Sequence, residues 1–149
     1  VKNKTNSDAV DISLEHDGTA VEFLTVEQVV DLHDEVMLEF TPSEPKAIKD
    51  NGLLESAVMA PQQTFGGEFL YKSLSEMAAT YLIGLAQNHA FMQGNKRIAF
   101  AACSTFLQMN GYQLTLTNAE AVSLTMAVIN HEIDREEVAA ILDAATQPL

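Results

Sequence analysis

An all-α fold, a helical bundle that carries one small β-hairpin flap, is predicted by three observations. Apolar residues recur at helical spacing along most of the chain. Thr or Asp followed three residues later by Gln or Glu, a reciprocal helix start, precedes several of these stretches. Alternating, strand-like texture is confined to short pieces beside turn residues. At 149 residues with 47% hydrophobic content, the chain has the size of one domain around one core.

Residues 1 to 22 are polar and then alternate through Val10, Ile12 and Leu14 to the turn-like Asp17-Gly18, which predicts a hairpin or loose arm ahead of a domain over 23 to 149. Thr25 with Gln28 opens the first helix, and Val26, Val29, Val30, His33, Met37 and Phe40 follow as its apolar stripe. Thr41-Pro42-Ser43-Glu44-Pro45 ends it; Gly52 to Met59 forms a short helix that Pro61 stops. Gln62 to Tyr71 holds Gly66-Gly67 between Phe65 and Phe69, the composition of a short hairpin or flap at the lip of a site.

Leu74, Met77, Ala78, Tyr81, Leu82 and Leu85 mark a helix ending close to His89. From Arg97 onward Ala101, Ala102, Thr105, Phe106 and Met109 face one way until Asn110-Gly111 stops the helix. Gln113 to Leu116 is a short extended piece. Thr117 with Glu120 then opens a helix with the stripe Ala121, Leu124, Thr125, Val128 and Ile129, and Asp134 with Glu137 opens another with Val138, Ile141, Leu142 and Ala145.

The charge balance excludes broad classes of partner. Eight Lys plus Arg against 21 Asp plus Glu, a net charge of -13, cannot supply the basic face that duplex nucleic acid or an anionic membrane requires. The single cysteine, Cys103, rules out an internal disulfide and reads as a small buried filler. With no apolar run of spanning length and no signal peptide, a cytoplasmic location is expected, and an opening Val1 is expected of a trimmed start. His33 and His131 lack paired ligand spacing and read as structural or surface groups, and the methionines read mainly as core.

Against this scaffold, residues 89 to 97 read His-Ala-Phe-Met-Gln-Gly-Asn-Lys-Arg and set two of the eight cations side by side just before an apolar helix. Backbone N–H groups that begin a helix lack intrahelical partners, so a glycine loop running into a helix cradles anions. Gly94, Asn95, Lys96 and Arg97 occupy that place: the lysine is a compact charge for a phosphate, and the guanidinium can hold two phosphoryl oxygens at once. The His89 imidazole can take the proton of an attacking hydroxyl, whereas Phe91 is an apolar anchor for the loop.

These residues resemble the Fic/Doc superfamily, whose signature runs His-Pro-Phe-x-(Asp/Glu)-Gly-Asn-Gly/Lys-Arg, and within it the death-on-curing (Doc) toxins. The match lies at His89, Phe91, Gly94, Asn95, Lys96 and Arg97, and extends through Phe23-Leu24-Thr25, Leu32-His33-Asp34, Gly52 to Ala57, Pro61 to Gly67, Phe106-Leu107 and Asn110-Gly111-Tyr112. The resemblance implies the compact Fic fold, with His89 as general base and the loop as phosphate site. Lys96, where adenylylating members have glycine, and Phe100, where they have a second arginine, imply a reversed nucleotide whose terminal phosphate faces the target.

The implied activity is therefore phosphate transfer from ATP to a hydroxyl of a translation protein, elongation factor Tu in the Doc case, with growth arrest. The alternatives are adenylyl transfer, or a Fic-fold binding protein of weakened catalysis. Thr64, Phe65, Gly66, Gly67 and Phe69 would align the target by strand addition, and a Phd-like antitoxin is implied as partner. Gln93 stands where the family usually has the acid that holds Mg2+, and an amide oxygen is a weaker ligand than a carboxylate. Ser13 to Gly18 faintly resembles the inhibitory Ser/Thr-x-x-x-Glu-Gly motif of self-inhibited members, but Asp17 replaces the Glu and the same residues explain a turn.

Overall fold

The computed structural model describes residues 20 to 149; the expected arm or hairpin, apart from its last three residues, and the Ser13 to Gly18 stretch lie outside the described residues. Among the described residues six α-helices follow in order: α1 Val26–Phe40, α2 Asn51–Met59, α3 Leu74–Asn88, α4 Asn95–Met109, α5 Asn118–Ile129 and α6 Arg135–Ala144. Strands β1 Thr64–Phe65 and β2 Glu68–Phe69 form one antiparallel pair, β3 Tyr112–Leu114 and β4 Thr146–Pro148 another. The fold is all-α with a small hairpin flap, as the periodicity predicts.

The helices start where local chemistry tells them to. Thr25, Thr117 and Asp134 each close the expected reciprocal cap with Gln28, Glu120 and Glu137, and Ser73 does the same with Glu76 at the head of α3. Each such cap satisfies two donors that helix geometry leaves free, and losing its side-chain oxygen costs about 1 kcal/mol. Asp50 caps α2 with its carboxylate alone.

Helix α3 is the axis of the core. Its apolar stripe is buried as predicted, and Ala79, Thr80 and Ala86 are buried too, because α2, α4, α5 and α6 all pack around it. On α4 the buried residues are Ile98, Ala99, Ala102, Cys103, Phe106 and Leu107. The predicted face is thus rotated: Ala101, Thr105 and Met109 lie at its edge, because the helix begins at Asn95, in a register set by the preceding loop. Met59 and Met92 are exposed, unlike the buried Met37 and Met77, since they stand at a helix end and on the loop.

Outside the core, the flap turns through Gly66 and Gly67, both at positive φ (62° and 82°), the backbone that a tight two-residue hairpin demands. Its root is fixed where Phe69 meets Phe23 at 5.5 Å between ring centroids, and Phe23 in turn stacks on Phe106. Strand β4 has no counterpart in the predicted elements. Its partner β3 lies beyond two helices, and Thr-Gln-Pro carries no alternating pattern.

Candidate functional site

The connection between α3 and α4 is built from backbone bonds outward. Helix α3 stops because His89 takes a left-handed conformation (φ 54°, ψ 47°) at its C-cap. His tolerates this region better than most residues, and the turn leaves its side chain exposed. Ala90 and Phe91 then dive into the core. The Ala90 carbonyl accepts from the N–H groups of Lys49 (2.7 Å) and Asp50 (3.1 Å), the Met92 N–H donates to the Ala47 carbonyl (2.9 Å), and Ile48 bridges Phe91 as in a sheet. The irregular segment after α1 thereby acts as a splint along the loop.

Asn95 closes the loop from within. Its Oδ1 accepts from the Phe91 N–H at 3.0 Å and its Nδ2 donates to the Phe91 carbonyl at 2.9 Å, so both ends of the amide are committed to one residue. What Asn95 presents outward is its backbone N–H. Gly94 is the N-cap of α4 with φ 79°, and a Cβ there would lie 2.6 Å from Met37 Sδ and 3.2 Å from His33 Nε2, so no larger residue fits.

The start of α4 lacks the side-chain cap that each of the other five described helices has. It has no acid in its first turn; Lys96 and Arg97 stand there, both exposed. Among the described residues, the N–H groups of Gly94, Asn95, Lys96 and Arg97 find no protein acceptor. Two cations at the positive end of a helix dipole are unfavourable, by about 0.3–1 kcal/mol each at an exposed site. An anion would relieve this repulsion and accept the free donors. The Arg97 guanidinium carbon lies 4.5 Å from the centroid of Phe40, a cation–π contact that steadies it. This explains why Phe40, expected in the core stripe, is 53% exposed.

The structure therefore gathers His89, Phe91, Gln93, Gly94, Asn95, Lys96 and Arg97 on one connection, with Phe91 buried and the Gln93, Lys96 and Arg97 side chains at the surface. Thr64, Phe65, Gly66, Gly67 and Phe69 are on the separate flap, where Phe65 is 83% exposed, and the flap makes no hydrogen bond to the loop among the described residues. Gln93 offers one neutral amide oxygen, and among the described residues no three His, Cys, Asp or Glu side chains gather to hold a metal. No helix among those described is long and apolar enough to cross a membrane.

Residues beneath the loop were not legible as part of the site. His33, Met37 and Phe40 fall four and three residues apart on α1 and all touch the loop or Arg97. The signal was present, since a histidine within an otherwise apolar stripe requires a partner.

Residues 23–107 match the model of the Fic/DOC family. The chain is 42% identical over 97 residues to "Toxin Doc" of Mycolicibacterium smegmatis, covering 64% of this chain and 75% of that protein. It is 29% identical over 119 residues to "Protein kinase doc" of Escherichia phage P1, covering 80% of this chain and 91% of the relative. The helical fold, the loop built on the signature residues and this match over more than half of the chain agree: the protein belongs to the Fic/DOC family.

Proposed function

We propose that the protein is a Doc-type toxin that transfers the terminal phosphate of ATP to a hydroxyl of a target protein, a translation factor such as elongation factor Tu. The observation that carries this reading is the start of α4, where uncapped N–H groups and the cations of Lys96 and Arg97 converge directly after His89. The phage relative bears the name of a protein kinase, which supports phosphate transfer over nucleotide transfer.

In this reaction the target oxygen forms a bond to the terminal phosphorus as the bond to the bridging oxygen of ADP breaks. His89 accepts the hydroxyl proton, and Lys96, Arg97 and the helix N–H groups stabilise charge on the phosphoryl oxygens. Magnesium would arrive with the nucleotide, resting on phosphate oxygens and water with at most the Gln93 carbonyl from the protein. The exposed flap around Phe65 receives the target chain. A Phd-like antitoxin is the partner that restrains the activity.

Incubating the protein with bacterial lysate and ATP labelled at the γ or the α phosphate tests the reading. Protein-bound γ label is expected; α label would establish adenylyl transfer instead, and neither would leave a binding protein. Gln93→Asp, which restores the carboxylate, is expected to increase γ transfer and its dependence on magnesium.

A further inference from the structure

The loop that presents the free N–H groups is held from below by a residue that the reaction scheme does not use. His33 of α1 is fully buried, its ring stacks on Phe91 at 3.7 Å between centroids with planes 12° apart, and its Nε2 lies 2.8 Å from the Gln93 carbonyl oxygen. A carbonyl only accepts, so Nε2 carries the hydrogen. The other nitrogen, Nδ1, is buried without a hydrogen-bond partner among the described residues. An apolar side chain of similar size would keep the packing and avoid that orphan, so packing alone does not explain a histidine here.

Peptide geometry supplies the reason. In a trans peptide the carbonyl and the following N–H point in opposite directions. The structure has no cis peptide bonds among the described residues, so turning the Gln93 oxygen inward onto His33 turns the Gly94 N–H outward. Glycine at 94 then leaves room for the His33 ring and Met37 beneath it. We infer that His33 is the positioning residue of the anion loop: its Nε2–H bond to the Gln93 carbonyl fixes the peptide whose Gly94 N–H opens the site. This rests on the reading of that loop as a phosphate site.

The test separates stability from site geometry in the full-length protein. His33→Leu removes the donor and the orphan nitrogen together, while His33→Gln places an amide N–H where Nε2 stands. Three quantities are measured for each: the thermal midpoint, the 15N relaxation order of Gly94 and Asn95, and the affinity for inorganic pyrophosphate. The leucine variant is expected to melt no lower than the native protein, to lose order at Gly94 and to bind pyrophosphate about tenfold more weakly; the glutamine variant should recover to within about threefold.

A leucine variant with native loop order, or a glutamine variant that folds without restoring it, overturns the inference. If the leucine variant does not fold, the glutamine variant decides alone, by keeping or losing loop order. If the native protein does not bind pyrophosphate, the phosphate reading fails, and the role of His33 is still decided by the order at Gly94.

Discussion

His89 carries two duties that ordinary substitution would confound. Its left-handed backbone ends α3, and its imidazole is the proposed base. Alanine would remove the ring and also strain the turn, whereas asparagine tolerates the same backbone. His89→Asn is therefore expected to keep the native urea midpoint while target labelling falls about 10²- to 10⁴-fold; retention of native labelling would remove His89 from the reaction. Gly94 is the complementary case, a residue required for the absence of a side chain. Gly94→Ala forces a Cβ against Met37 Sδ and His33 Nε2 at φ 79°, and is expected to lower stability by about 2–4 kcal/mol in urea melts and to abolish nucleotide binding. Types and spacing made His89, Gly94, Lys96 and Arg97 legible as candidates. The amides of Lys49 and Asp50 were not, because a backbone hydrogen bond places no demand on residue identity.

At the level of the helix, the start of α4 gives up stability where the phosphate is proposed to bind. Four of the six described helices have reciprocal caps and an acid in the first turn, and α4 has neither. Lys96→Glu repairs the mismatch with the dipole and is expected to raise stability by about 0.5–1 kcal/mol at low ionic strength, a gain that shrinks with salt. ATP is expected to protect the native protein against thermal unfolding, and the same change should remove that protection. A variant that unfolds at lower urea would show that the cations serve the helix and not a ligand. The caps also explain which elements could be read: a cap spans three residues, so it is written locally, and the predicted ones formed. The face of α4 depends on where the folded loop before it starts the helix, and strand β4 on a pairing with β3 remote in sequence, and there local reading fell short.

Across the whole molecule, a net charge of -13 makes an anion site necessarily a local feature, concentrated where N–H groups and two cations coincide. The core beneath it is dry enough to govern the response to alkali. Burial pushes the Cys103 thiol from its ordinary 9.0 up to about 12. The Tyr81 hydroxyl is likewise pushed by burial from 10.0 to about 12, against the opposing effect of the hydrogen bond it accepts from the Leu24 N–H. Both groups hold their protons longer in the folded chain than in the unfolded one. Their contribution to stability is complete below the unfolded pKa and is lost as pH rises toward the folded one. Urea midpoints should therefore fall from about pH 9, first through Cys103 and then, above pH 10, through Tyr81 as well. Cys103→Ala separates the two: whatever its cost at pH 7, its stability between pH 9 and 10 should decline less steeply than that of the native chain, by about 1 kcal/mol over that interval. Parallel declines would mean that the thiol ionises as readily in the folded protein as in water, contrary to the closed core around α3 and α4.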